Sequence, residues 1–162
     1  MQTRTERIQK DIETLAQFTS TPGKGVTRSS YSKEDTMAKD YLTGEMKKIG
    51  LEIYEDGFGT LFGRREGTMK DAPVVMLGSH YDSVVNGGAF DGVAGSVSAL
   101  EVMRVLTEEG FVNDYPLELI LMNAEEGATF GPSTGVSNSR AMLGTMTQRE
   151  LETVKNRFGQ TK

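Results

Sequence analysis

The chain has 162 residues, 36% hydrophobic and 25% charged, the balance of an ordinary folded chain with apolar material for one core. It has no cysteine, which excludes disulfides, thiolate metal sites and cysteine nucleophiles and makes the cytoplasm the default expectation for its location. A formal charge of -5 without a Lys/Arg cluster among aromatics argues against nucleic acid as a partner, and the absence of a long apolar run, with the polar start MQTRTERIQKD, argues against membrane insertion or export.

In chain order, Ile8, Ile12, Leu15 and Phe18 fall at helical spacing and predict a surface helix over residues 4–18. The breaker-rich TSTPGKG follows. Ser32, with Asp35 three residues on, reads as a capping box for a second helix with the stripe Ala38, Tyr41, Leu42, Met46 and Ile49, closed by Gly50. Leu51 and Ile53 then alternate with polar residues, Asp56 and Gly57 form a turn, and Leu61 and Phe62 continue, which predicts paired strands. The apolar run Pro73 to Leu77 predicts a central strand covered on both faces.

From about Asp91 to Glu109 most of the helical circumference is apolar, so this helix is expected to be deeply packed, with Gly110 ending it. Leu117 to Met122 predicts the next buried strand and completes a strand–helix–strand unit, expected to be parallel and right-handed. The fold class is therefore α/β. Gly127 to Ser139 reads as a loop, and Thr147 with Glu150 opens a last short helix with the stripe Leu151, Val154 and Phe158.

Metal-competent residues gather where apolar elements end. GSHYDS holds His80 and Asp82, NGGAFDG holds Asp91, and NAEEG holds Glu125 and Glu126. Taken singly, each has a plain reading: a structural histidine, a helix N-cap at Asp91, a solvated acidic loop, and turns at Gly87 and Gly88. Their joint placement beyond the carboxyl ends of two neighbouring strands, where open parallel sheets bind ligands, favours a site. His80 and Asp82 are two apart and share one side of an extended backbone, so the carboxylate can orient the imidazole. Glu125 and Glu126 point different ways, which suits one metal ligand and one proton acceptor, and Asp91 has two oxygens with which to bridge two metals. Glycines 87, 88, 92 and 95 allow close backbone approach.

GSHYDSVVNGGAFDGVAG followed at this distance by NAEEG resembles the metal-site signature of the N-carbamoyl-L-amino-acid hydrolase and allantoate amidohydrolase family, dinuclear zinc amidohydrolases of the M20-type peptidase clan. GVTRSSYSKED and TLFGRREG resemble the N-terminal region of the same family. The resemblance implies part of a zinc-exopeptidase-like three-layer domain with a mixed, largely parallel sheet. It implies two divalent ions, Zn2+ or Mn2+, with His80 and Glu126 as ligands, Asp91 as bridge, Asp82 orienting His80 and Glu125 as general base. The substrate would be a carbamoyl-amino acid or a ureide. The short spacing from His80 to Asp91 favours this branch over exopeptidases, which usually carry a longer insertion there.

Two departures stand out. EEGATF puts Thr129 where the family commonly has a basic residue, and the chain has a single histidine. Two zinc ions want about three protein ligands each, more than His80, Asp91 and Glu126 supply. The resemblance therefore implies a truncated, N-terminal part of the catalytic domain, with the lid or dimerisation domain, further histidines and a substrate arginine expected from sequence beyond Lys162. Three readings stay open: the N-terminal half of an amidohydrolase completed by a separate C-terminal half or by oligomerisation, a non-catalytic remnant, and an exopeptidase of the same clan. Loss of strands is also expected to leave an unpaired sheet edge that promotes association.

Overall fold

The structure, a computed structural model, describes residues 2–131, 135–156 and 159–161. Its elements are α1 (Thr5–Ala16), α2 (Lys33–Lys48), β1 (Glu52–Glu55), β2 (Leu61–Arg65), β3 (Val75–His80), α3 (Val93–Glu108), β4 (Leu117–Met122), α4 (Ser137–Met142) and α5 (Gln148–Thr153). Local signals account for most boundaries. Ser32 caps α2 by accepting the Asp35 amide hydrogen, Thr147 caps α5 by accepting that of Glu150, and Gly50 and Gly110 adopt the left-handed backbone expected past a helix end.

The sheet runs β1-β2-β4-β3, with β1–β2 and β2–β4 antiparallel and β3–β4 parallel. It is mixed as expected, but two of its three pairings are antiparallel. A short turn after β1 returns the chain antiparallel, whereas the α3 crossover lets β4 run parallel to β3. One expectation is corrected. The run Pro73 to Leu77 does not make a central strand: β3 lies at the edge, no strand flanks its outer side among the described residues, and Val75 and Met76 are 50% and 47% exposed. A continuous apolar run shows that a strand is sticky, not which neighbours it has.

One face of the sheet is covered by helices. Leu15 of α1, Ala38, Leu42 and Met46 of α2, and Val97, Leu100 and Met103 of α3 form one core with Leu61, Leu119 and Leu121. The alternate residues carry the other face, where Tyr54 stacks on Phe62 with ring centroids 4.6 Å apart and Arg64 pairs with Glu118 at 2.7 Å.

The helical layer is also locked by buried and half-buried charge. Arg104 of α3 bonds Asp11 of α1 and, at 2.5 Å, Glu45 of α2, while Arg7 of α1 reaches Glu101 of α3 at 2.6 Å. Glu101 and Arg104 are thus buried charged groups on α3, whose stripe alone reads as apolar.

After β4 the expected loop is only partly a loop, because α4 begins at Ser137 inside it, preceded by Val136 in the left-handed region with φ +53°. In the last segment Val154 has already left the helix with extended backbone, and Phe158 lies outside the described residues. No helix among the described residues is long and apolar enough to cross a membrane.

Candidate metal centre

The parallel pairing of β3 with β4 builds the site. His80 pairs with Met122 in register, so the segments leaving the two strands, Tyr81–Asp82 and Asn123–Glu126, emerge side by side. The Tyr81 amide donates to the Met122 carbonyl at 3.0 Å, continuing the ladder one residue further. The next approach comes from the start of α3. Gly92 has φ +66°, and a β-carbon there would lie 2.6 Å from His80 Nε2, so only glycine lets Asp91 come this close to the imidazole. Gly95 is a second close contact: a β-carbon on it would lie 2.8 Å from Ser79 Cβ. Gly88 meets nothing within 4 Å, so contact explains two of the four glycines far better than the rest.

All five residues singled out by sequence come together. One ligating atom from each of His80, Asp91 and Glu126 lies within 4.8 Å of the others. His80 Nε2 is 3.7 Å from Asp91 Oδ1 and 3.7 Å from Glu125 Oε2. On the opposite side of the ring, Nδ1 lies 3.2 Å from the carbonyl oxygen of Asp82 and 3.5 Å from its Oδ1. Both partners of Nδ1 are acceptors, so the proton belongs on Nδ1 and the Nε2 lone pair is free to ligate. Glu126 supplies a ligating atom to the group, while the Glu125 carboxylate faces His80 Nε2.

Asp82, 1% exposed, does more than orient the ring. Its Oδ1 accepts the Glu125 amide hydrogen at 3.2 Å and its Oδ2 that of Glu126 at 3.1 Å. One buried carboxylate thus fixes both the imidazole and the backbone of the acidic pair.

Electrostatics follow from crowding four carboxylates around one imidazole. Burial raises the Glu126 carboxyl above its ordinary range, and repulsion from Glu125 and Asp91 raises it further. For His80 burial acts downward, but the bond to Asp82 and the charges of Asp82 and Glu125 outweigh it and raise the imidazole. One imidazole and several hard carboxylate oxygens with uncompensated negative charge form a donor set that fits a divalent cation. The three grouped residues suffice for one ion and fall short of two complete ligand sets.

Sequence reasoning assigned no role to the residues that brace this site from behind. Arg28, buried, donates to the Tyr81 carbonyl at 2.6 Å and the Leu15 carbonyl at 2.7 Å. Ser30 Oγ accepts the Ala124 amide hydrogen at 2.7 Å, and the Ser30 amide donates to Thr129 Oγ1 at 2.9 Å. The GVTRSS segment carried a family resemblance, which was the available signal, but no periodicity marks such residues as buried. Thr129, in the place of a basic residue, therefore serves as an acceptor that holds two loops together.

Comparison with known proteins bears on this arrangement. A family model described as Peptidase family M28 matches residues 60–156, more than half of the chain. The chain belongs to peptidase family M28. The chain is 46% identical over 154 residues to an N-carbamoyl-L-amino-acid amidohydrolase of Paenarthrobacter aurescens, covering 95% of this chain and 37% of that protein. It is 35% identical to an allantoate amidohydrolase of Bacillus subtilis, covering 91% and 35%. A crystal structure of a hydantoinase/carbamoylase family amidase from Burkholderia ambifaria superposes with a TM-score of 0.90 at 32% identity, covering 98% of this chain and 38% of that one. This M28 chain matches the N-terminal portion of these relatives and spans just over a third of their length.

Proposed function

We propose that residues 1–162 form the N-terminal, metal-binding part of the catalytic domain of a hydrolase acting on linear carbamoyl or amide C–N bonds, such as those of N-carbamoyl-L-amino acids or allantoate. In this reading the lid or dimerisation domain lies outside these residues, and the protein works in the cytoplasm. The observation that carries it is the convergence of His80, Asp91 and Glu126 on one point with Asp82 behind them. Similarity to amidohydrolases along nearly the whole chain supports the substrate class.

His80 Nε2 and Glu126 would each hold a divalent ion, Zn2+ or Mn2+, with Asp91 bridging. Bound metal supplies Lewis acidity toward a scissile carbonyl and toward water. The chain's own residues do the rest. Asp82 keeps the His80 proton on Nδ1, and Glu125, whose Oε2 faces His80 Nε2, accepts a proton from the attacking water. The remaining ligands would come from a separate C-terminal half or from a second copy.

The test is metal titration of the chain alone and with a C-terminal half from a close relative, followed by assay on carbamoyl-amino acids and allantoate. Turnover should appear only in the combined sample. A folded complement that restores no turnover with any substrate refutes the reading and leaves a non-catalytic domain. The peptidase family match favours a second reading, an exopeptidase. Release of amino acids from dipeptides by the combined sample, with carbamoyl substrates untouched, would select it.

A further inference from the structure

Four residues with buried side chains end in polar atoms that no described neighbour satisfies: Asp35 Oδ1, Tyr81 Oη, Asn123 Oδ1 and Nδ2, and Asn138 Oδ1. Each belongs to a different segment. Asp35 is in the first turn of α2, Tyr81 follows β3, Asn123 follows β4, and Asn138 lies in the first turn of α4.

Their surroundings overlap. Asp35 Oδ2 accepts the Tyr31 amide hydrogen at 3.0 Å, and the Tyr81 amide donates to Met122, the residue before Asn123, while burial and then the charges of Asp35, Asp82 and Glu55 raise the Tyr81 phenol. A β-carbon on Gly59 would lie 3.1 Å from Asn123 Nδ2 and 3.5 Å from both Glu55 Oε1 and Tyr31 Cε1, so Asn123 borders the same Tyr31–Glu55 wall. Asn138 donates to Oγ1 of Thr60, the residue after Gly59. Folded chains rarely leave buried polar atoms uncompensated, and five in one region call for a shared partner.

We propose that this region is an internal hydration site, in which ordered water bridges Asp35, Tyr81, Asn123 and Asn138 and ties the Glu125–Glu126 loop to α2 and α4. The hydrogen-bond inventory selects the ligand. The Tyr81 hydroxyl and the Asn123 amide nitrogen have hydrogens to give, while the oxygens of Asp35, Asn123 and Asn138 accept. Water does both. A cation would satisfy the oxygens but would be repelled by the Asn123 N–H group. The site stands independently of the hydrolytic reading.

The experiment is a crystal structure of the full chain with a parallel rubidium soak, together with thermal unfolding of Tyr81→Phe. Density within hydrogen-bond distance of Asp35 Oδ1 and Tyr81 Oη, without rubidium signal, and a lower Tm for Tyr81→Phe are expected. A rubidium peak would replace water by a cation and overturn the proposal. A direct Tyr81–Asp35 hydrogen bond without intervening density would overturn it as well. So would an unchanged or raised Tm, because removing an unpartnered buried hydroxyl relieves the fold. Should Tyr81→Phe fail to fold, the density in the unaltered chain decides alone.

Discussion

Gly92 holds its α-carbon against the imidazole of His80, and a β-carbon at that position would press on Nδ1, Cε1 and Nε2 at once. Gly92→Ala must push the ring away or shift the start of α3, and it also strains the backbone at φ +66°. The strain alone is about 1–3 kcal/mol. Isothermal titration with Zn2+ should show affinity at least about tenfold weaker, in line with losses seen when a ligand histidine is misoriented. Unchanged affinity would show that His80 does not ligate from this position.

Asp82 serves two backbone amides and one imidazole with a single carboxylate. Asp82→Asn keeps one acceptor oxygen and turns an NH2 group toward an amide hydrogen, leaving a buried donor unmet at about 1–3 kcal/mol. Thermal unfolding should register that loss, and metal affinity should fall by about 10–100-fold because the Nδ1 proton of His80 loses its acceptor carboxylate.

Stability should depend on pH through Asp35. Burial, with repulsion from Asp82, pushes its carboxyl up to about 6 against the bonding Tyr31 amide and the charges of Lys39 and Arg28. The folded chain then holds the proton more tightly than the unfolded chain, whose carboxyl titrates near 3.8. The favourable contribution is complete below the unfolded value and declines as pH rises through the folded one, by about 3 kcal/mol in total. Asp35→Asn cannot ionise, so the difference in unfolding free energy between it and the parent should change across pH 4–6 and stay level above. A flat difference across that window would rule out the shift.

Asp11→Ala leaves Arg104 buried with only part of its carboxylate shell, Glu45 at 2.5 Å and Glu101 at 3.7 Å. Removing one partner of a buried pair costs about 3–5 kcal/mol, so urea unfolding should show a large loss. Adding Arg104→Met should recover much of it, because the stranded charge goes as well. A double variant no better than Asp11→Ala would mean that Asp11 acts through its bond with Tyr41.

The outer edge of β3 carries no charge from Val75 to Ser79 and exposes Val75 and Met76. Such an edge pairs readily with other strands. Sedimentation should show mass rising with concentration, and Met76→Lys, which sits beside Glu118 in register, should abolish the rise. A parent chain that stays monomeric at high concentration would refute self-association through this edge.

Much of the fold was legible because its signals are local. Capping at Ser32 and Thr147, the stripes of α1 and α2, and the apolar runs of β3 and β4 depend on neighbours within a few residues. The site residues were legible for a related reason: His80, Asp91, Glu125 and Glu126 sit at the ends of those elements, and the order of the elements brings the ends together. What the amino-acid sequence determined by itself is therefore the set of elements and the side chains presented where they stop. Tertiary structure decided the rest. It placed β3 at an edge rather than in the middle, brought Asp91, Glu125 and Glu126 up to His80, gave Asp82 three partners, and buried Arg28, Ser30 and Arg104 as braces. These outcomes rest largely on contacts between residues distant in the chain, such as Asp82 with Glu125, 43 positions apart, and Ser30 with Thr129, 99 apart, and no local pattern encodes which distant group will satisfy a buried hydrogen bond.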